Sequence, residues 1–225
     1  MHIHSVIISY KRCELTKETL ESYLDTVSIP YSIVIVDNAS SPDTIEWLSS
    51  LDIPVVFLER NYFPGYATNR GWELMPPETT LLHRIDNDTL FLPGWCEDAV
   101  ESFKDPELGQ YGLLAEGGME WLKKAKVYPS AWGGWPVGGA SIICRKLWDE
   151  GLRYSERPWT AGGTLEDNQL TLDIWKRGYK RVFSTKPVMH YLGGAYQDYD
   201  IEIKKSRGLW TSEDEISWVI YKRIL

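Results

Sequence analysis

The chain lacks any long run of apolar residues, including at its start. The opening residues MHIHSVIISYKR contain one short apolar stretch, and charged residues follow it at once. A signal peptide needs about 7–15 consecutive apolar residues, and a membrane-spanning helix needs about 20. We therefore expect no signal peptide, no membrane span and a cytoplasmic location.

Cysteine and positive charge are also scarce. The 225 residues include three cysteines, which are widely spaced: Cys13, Cys96 and Cys144. This odd number and wide spacing fit neither a disulfide framework nor a zinc site. The formal net charge is −8 and the pI is about 5.1. An acidic chain of this kind disfavours binding along a nucleic-acid backbone.

Short apolar runs rich in β-branched residues recur through the first part of the chain. They lie at 3–9, 32–36, 54–58 and about 80–85, and this pattern is typical of strands buried on both faces of a parallel sheet. Apolar residues at helical spacing lie between the first and second runs and between the second and third. We therefore predict an α/β fold with a mostly parallel, Rossmann-like sheet flanked by helices, in a single domain.

The second half is less regular. Residues 117–139 combine glycines with tryptophans, which favours a long loop that serves as a lid over a site. A strand is predicted at 141–145, a helix at 166–178, and one further strand over 181–191. A capping box at 212–215 predicts a last helix near the C-terminus.

Acidic residues follow two of the predicted strands. Asp86, Asn87 and Asp88 come directly after the fourth run, and Asp37 follows the second run. Two carboxylates on one turn are hard oxygen ligands that suit Mg²⁺ or Mn²⁺, and the ends of such strands are where open α/β sheets bind ligands. The alternative is structural, because Asp and Asn also favour turns and helix caps.

Several motifs in order resemble glycosyltransferase family two and its GT-A fold relatives. They are VIISYKR, VDNAS, NYFPGYATNRG, RIDNDTLFLPGW, GGASIICRK, LEDNQLTLDIWKRGY and VMHYLGG. The resemblance spans residues 5 to about 194. With the strand pattern and the capping box, it divides the predicted single domain into a nucleotide-sugar-binding half at 1–105, an acceptor and catalytic half at 106–195, and a C-terminal helical extension at 196–225.

The resemblance also implies roles for individual residues. Metal binding, to Mn²⁺ or Mg²⁺, falls to Asp88, Asp86 and His190. The expected contacts to the nucleotide-sugar donor come from Ser9, Tyr10, Arg12, Asp37, Asn61, Arg70, Asp86 and Asn87. For each of these a purely structural role is the alternative, and a lone histidine is often structural.

Glu166 and Asp167 match the acidic pair that precedes an amphipathic helix in this family. The resemblance implies that Asp167 is the catalytic base and that Glu166 contacts the acceptor, because an acceptor hydroxyl needs a carboxylate to take its proton. The alternative is that both acids only complement the helix dipole. Acceptor contacts are also expected from residues in glycine-rich stretches: Trp132, Trp135, Gly139 and Trp159.

The sequence thus predicts an inverting, metal-dependent glycosyltransferase with a UDP-sugar as the first choice of donor. The acceptor stays open among glycans, lipid-linked sugars, small molecules, proteins and modified nucleic-acid bases. One alternative is a non-catalytic module that binds nucleotides or glycans. A sugar nucleotidyltransferase is the weaker alternative, since it would carry a glycine-rich loop after the first strand, where this chain has Ser9-Tyr10-Lys11-Arg12-Cys13.

Overall fold

A computed structural model describes residues 1–115, 140–156, 166–185 and 187–191. The first elements alternate between strand and helix: β1 (Ile3–Ser9), α1 (Cys13–Thr26), β2 (Tyr31–Asp37), α2 (Pro42–Ser49), β3 (Val55–Phe57), α3 (Phe63–Trp72) and β4 (Leu81–Asp86). The later elements are β5 (Thr89–Phe91), α4 (Trp95–Ser102), β6 (Leu108–Gly112), β7 (Ser141–Cys144), α5 (Arg145–Asp149), α6 (Glu166–Lys176), β8 (Lys180–Phe183) and β9 (Met189–Tyr191).

The strands form one large sheet and one small sheet. The large sheet has seven strands in the order β3-β2-β1-β4-β7-β6-β8, and the small one pairs β5 with β9. Strands β3, β2, β1 and β4 run parallel, whereas β7 is antiparallel to both of its neighbours. The predicted mostly parallel α/β sheet flanked by helices is confirmed.

β1 lies at the centre of the core because its side chains alternate between two hydrophobic layers. Ile3 and Ile7 join the layer that contains Tyr23. Val6 and Ile8 join the opposite layer, which contains Trp72. All seven residues of the strand are buried. A strand covered on both faces requires the near-continuous apolar run that the sequence shows.

The predicted strands differ from the structure in two places. The single strand predicted over 181–191 is wrong, because β8 and β9 belong to different sheets. Pro187 lies between them and lacks the backbone N–H that a continuous ladder would need. β6, with the sequence LGQYG, was not predicted at all, since glycine and glutamine are poor strand signals.

Three predicted features lie outside the described residues. These are the lid at 117–139, the acceptor residues Trp132, Trp135, Gly139 and Trp159, and the C-terminal helix after Ser212. Across the ranges that the structure does describe, none of the helices has the length and apolar character needed to cross a membrane.

Gly71 permits the close packing of α3 on β1. A Cβ at this position would lie 2.5 Å from Val6 Cγ1 and 2.6 Å from Val6 Cγ2. We predict that Gly71→Ala lowers the free energy of unfolding by about 1–3 kcal/mol through overpacking, although alanine is normally favoured over glycine in a helix by about 1 kcal/mol.

A double-mutant cycle, measured by urea unfolding, tests whether the contact with Val6 causes this loss of stability. Val6→Ala removes the two methyl groups, so the double variant should lose less stability than the sum of the single variants. Additive losses would contradict a steric conflict between these two positions.

Candidate functional site

The parallel strands bring three separate chain segments to one edge of the sheet. Ser9 on β1 is in register with Asp37 on β2, and Ile8 is in register with Asp86 on β4. The carboxyl ends of β1, β2 and β4 therefore lie side by side. This is the edge at which open α/β sheets bind ligands.

Asp37 is fully buried at this edge. Its Oδ2 accepts a hydrogen bond from the backbone N–H of Ser40 at 2.9 Å. Its Oδ1 has no hydrogen-bond partner among the described residues, and neither has the buried Oγ of Ser9. A buried polar atom without a partner costs about 1–3 kcal/mol, so a ligand N–H group that reached Asp37 Oδ1 would bind favourably.

The loop after β3 is fastened to the loop after β2. Asn38 Oδ1 accepts a hydrogen bond from the backbone N–H of Tyr62 at 2.8 Å. Asn61 Oδ1 accepts one from the backbone N–H of Phe63, also at 2.8 Å. The side-chain oxygen of Asn61, predicted to contact a donor, is therefore engaged in holding the start of α3.

Backbone strain concentrates in the same loops. All four described non-glycine residues with positive φ follow β1, β2 or β3: Lys11 at 55°, Arg12 at 52°, Ala39 at 66° and Phe63 at 72°. The backbone N–H of Lys11 donates to Ser40 Oγ at 2.8 Å, which joins two of these loops. Such conformations persist only where surrounding contacts hold them, and they cluster at ligand sites.

The turn that carries Asp86, Asn87 and Asp88 is tied to α1 and the residues before it. The buried Asn87 donates through Nδ2 to Thr16 Oγ1 at 3.0 Å, so this amide is engaged inside the protein. Arg12 Nη1 donates to Asp88 Oδ2 at 2.8 Å. The two carboxylates thus stand on a turn whose position is fixed.

Arg84 is a site residue to which the sequence analysis assigned no role. Its side chain is only 4% exposed. Nε and Nη2 donate to Asp86 Oδ1 at 3.2 and 3.1 Å, and Nη1 donates to Glu166 Oε1 at 3.1 Å. The available signal was a charged residue inside the otherwise apolar strand LLHRID, two residues before Asp86.

Asp167 lies in the first turn of α6 and is half-buried. Burial and, to a smaller extent, the negative charge of Glu166 raise the pKa of its carboxyl group, and the positive charge of Arg84 partly opposes them, so that the pKa is about 7. A carboxylate with a pKa near neutrality is suited to general-base catalysis, because it is ionised yet basic enough to accept a proton.

Asp86 and Asp88 place two carboxylates on one turn, and carboxylate oxygens are ligands that Mg²⁺ and Mn²⁺ accept. Asp86 Oδ2 accepts no hydrogen bond from any residue that the structure describes, since both bonds from Arg84 go to Oδ1. The backbone of His190 pairs with that of Leu90 in the small sheet, and Leu90 follows Asp88 by two residues in the chain. Within the described ranges, no three potential metal-binding side chains cluster together.

Arg70 and Tyr10, two of the predicted donor contacts, each lie against charged side chains. Arg70 Nη2 pairs with Glu73 Oε1 at 2.9 Å and with Glu156 Oε1 at 3.2 Å, and its side chain is 36% exposed. The structure therefore engages Arg70 with two glutamates beside α3. Tyr10 is half-buried directly after β1, and the Lys11 ammonium lies 5.3 Å from the centre of its ring.

Three solved structures are similar to this fold. S. aureus TarS residues 1–349 has a TM-score of 0.66 at 17% identity, covering 99% of this chain and 71% of that one. The mannosyltransferase PcManGT from Pyrobaculum calidifontis, in complex with GDP-Man and Mn²⁺, has a TM-score of 0.65 at 14% identity, with 99% and 72% covered. TarS 1–349 in complex with UDP has a TM-score of 0.64 at 15% identity, with 100% and 71% covered.

Sequence comparison identifies the family directly. No curated protein matches the sequence significantly. Residues 5–154, more than half of the chain, match the profile described as Glycosyl transferase family 2. The resemblance inferred from the motifs is confirmed: the chain has the GT-A fold and belongs to glycosyltransferase family 2.

Proposed function

We propose that this protein transfers a sugar from a nucleoside diphosphate sugar, with UDP as the first choice, to an acceptor hydroxyl by single displacement with inversion. The unpartnered Oδ1 of the buried Asp37 carries this proposal. The imide N–H of uracil is a hydrogen-bond donor of the kind that this oxygen lacks. The similar folds solved with UDP and with GDP-Man support a nucleoside diphosphate as the donor group.

The base and the phosphates would occupy neighbouring parts of the edge. Asp37 would accept a hydrogen bond from the nucleobase, with Ser9 at the end of β1 and Tyr10 directly after it alongside. The diphosphate would then lie toward Asp86, at the end of β4, and Asp88, on the turn that follows; β4 is the neighbour of β1 on the side away from Asp37. In this arrangement Asn61 and Asn87 would not contact the donor directly but would support the site, through the hydrogen bonds that hold α3 and the turn.

Asp86 and Asp88 would hold Mn²⁺ or Mg²⁺, with His190 completing the set. The ion would supply positive charge opposite the departing diphosphate. The complex of the mannosyltransferase PcManGT with GDP-Man and Mn²⁺ supports this assignment. Arg12, which is paired with Asp88 at 2.8 Å, would place a second positive charge near the same phosphates.

Asp167 would take the proton of the acceptor hydroxyl. Its raised pKa keeps it basic enough to do so, and Glu166 beside it would contact the acceptor. As the hydroxyl oxygen attacks the anomeric carbon, the bond from that carbon to the diphosphate breaks and the proton passes to Asp167. Residues 1–105 would then form the donor half of a single domain and residues 106–195 the acceptor half.

The first prediction from this proposed function concerns the contact between Asp37 and the nucleobase. Asp37→Asn replaces a carboxylate by an amide of the same shape, so Asp37 Oδ1 and Oδ2 can no longer both serve as anionic acceptors. We expect UDP affinity to fall by at least about tenfold, since hydrogen bonds to charged groups contribute about 1.5–3 kcal/mol. Isothermal titration calorimetry measures this affinity, and Asp43→Asn on the exposed side of α2 is the matched control.

Unchanged UDP affinity in a folded Asp37→Asn variant would remove Asp37 from the nucleotide site. An equal loss in the Asp43 variant would point to net charge instead of a specific contact.

The second prediction concerns catalysis. Asp167→Asn should reduce the rate of sugar transfer by at least about a hundredfold, the usual lower range for a general base, while donor affinity changes by no more than a few-fold. Glu166→Gln should have a smaller effect on the rate. Mass spectrometry of products from a donor and acceptor panel identifies a working pair, and initial rates are then compared.

The wild-type rate should also rise with pH through about 7, because only ionised Asp167 accepts a proton. Asp173→Asn on the same helix is the matched control. Near-normal transfer by Asp167→Asn would exclude Asp167 as the base. Donor binding by the wild type without any transfer would favour a non-catalytic binding module.

The third prediction concerns stability. A raised pKa in the folded state means that the stability contributed by protonated Asp167 is fully present below the unfolded pKa of about 4. That stability is lost as pH rises through the folded pKa of about 7. Asp167→Asn removes the titration, so the stability of this variant relative to wild type should increase from about pH 5 to about pH 8.

Urea unfolding at several pH values measures this difference, with Asp173→Asn as control. A stability difference that does not vary with pH would contradict the raised pKa of Asp167.

A further inference from the structure

Arg84 is a buried cation in the middle of the large sheet. It lies on β4, in register with Val6 of β1 on one side and with Ser141 of β7 on the other. Only 4% of its side chain is exposed. Burial lowers the pKa of this guanidinium, but the nearby carboxylates of Asp86 and Glu166 more than offset that effect and raise the pKa overall. It therefore stays charged.

The guanidinium joins two segments that are far apart in the chain. One edge, Nε and Nη2, holds Asp86 Oδ1 at 3.2 and 3.1 Å. The remaining arm, Nη1, holds Glu166 Oε1 at 3.1 Å. Among the described residues no donor contacts the second oxygen of either carboxylate. Arg84 thus holds each acid through one of its two oxygens.

Neighbouring residues restrict the conformations of the Arg84 and Glu166 side chains. The Arg84 guanidinium carbon lies 5.1 Å from the centre of the Tyr154 ring, a cation–π distance. A Cβ on Gly65 would lie 3.2 Å from Glu166 Cγ and 2.3 Å from the carbonyl oxygen of Ser155. The Glu166 side chain therefore packs closely against α3 while Arg84 holds its end.

We propose that Arg84 is a positioning residue that aligns Asp86, on the donor side, with Glu166, on the acceptor side. This inference rests on the proposed function, in which these two acids contact donor and acceptor respectively. Arg84 itself contacts neither substrate. Its planar fork fixes both carboxylates at once, which the single ammonium of lysine cannot do with the same geometry.

A role confined to charge neutralisation makes a different prediction. Arg84→Lys keeps the positive charge, so neutralisation alone would leave donor and acceptor binding nearly unchanged. A positioning role instead predicts two separate effects. UDP binding should weaken in a way that depends on Asp86, and acceptor binding should weaken in a way that depends on Glu166. Double-mutant cycles distinguish these cases, because an effect that acts through a partner disappears once the partner has been altered.

The donor arm of the experiment uses calorimetry with UDP and Mn²⁺ and needs no acceptor. Arg84→Lys should weaken UDP binding by about tenfold in the wild-type background and by less than about twofold in the Asp86→Asn background, a coupling in the usual range for contacting residues. The control is Arg145→Lys, since Arg145 donates to the carbonyl of Pro77 outside the candidate site. The control should bind UDP like the wild type.

The acceptor arm uses steady-state kinetics. Arg84→Lys should raise the acceptor KM by about tenfold in the wild-type background and by less than about twofold in the Glu166→Gln background. Glu166→Asp gives a second test that leaves Arg84 intact. Its shorter side chain withdraws the carboxylate from Nη1, so it should raise the acceptor KM while UDP affinity stays within about twofold of wild type.

The outcomes separate this inference from the function on which it rests. A wild-type protein that binds neither UDP nor GDP with Mn²⁺ and transfers no sugar would overturn both. An active wild type whose Arg84→Lys losses are equal in all backgrounds would overturn only the positioning role, as would an Arg84→Lys variant that behaves like Arg145→Lys. If Arg84→Lys fails to fold in thermal melts, Glu166→Asp decides: an unchanged acceptor KM would overturn the inference.

Discussion

The parallel pairing of β1 with β2 on one side and with β4 on the other fixes the position of the whole candidate site. This register sets Ser9 beside Asp37 and Ile8 beside Asp86. It is held by packing, because alternate residues of β1 fill hydrophobic layers on opposite faces of the sheet. A shift of one residue would exchange those layers. The hydrophobic core therefore determines where the polar groups meet.

Charge balance at this edge is local. Acidic residues collect at the strand ends, and two well-buried arginines, Arg12 and Arg84, bond directly to some of them. Arg84 bonds Asp86 and Glu166, but it acts on Asp167 only through space. Burial and the charge of Glu166 raise the pKa of Asp167, and Arg84 only partly opposes them. The candidate site thus places carboxylates that are paired with arginine beside one carboxyl group whose pKa is raised, a combination that is common at functional sites.

The order of strands and helices up to β3, and the strand β4, were predictable because each of these elements repeats one strong signal. Strands buried on both faces appear as apolar runs, and Ser41 with Pro42 marks the start of α2 as predicted. β6 was missed because its buried positions include Gly109 and Gln110. A Cβ on Gly109 would lie 2.7 Å from Tyr179 Cβ, so glycine is required there by tertiary packing. A local propensity argument has no access to that contact.

The positions of the candidate site residues in the fold were predictable to a similar depth. The acids at the ends of β2 and β4 stood out because strand ends carry ligands, and family membership is established by the match over residues 5–154. Arg84 escaped notice because its partner Glu166 lies 82 residues further along the chain. The engagement of Asn61 and Asn87 in internal hydrogen bonds is likewise visible only in three dimensions. Long-range side-chain pairing is what the sequence pattern could not show.

A crystal structure of the protein with UDP and Mn²⁺ is the most direct measurement of the central claim that this edge binds a nucleoside diphosphate. The expected result places the uracil imide nitrogen within hydrogen-bond distance of Asp37 Oδ1 and the ion between the diphosphate and the carboxylates of Asp86 and Asp88. Nucleotide bound elsewhere, or bound at this edge with Asp37 Oδ1 still unpartnered, would contradict it.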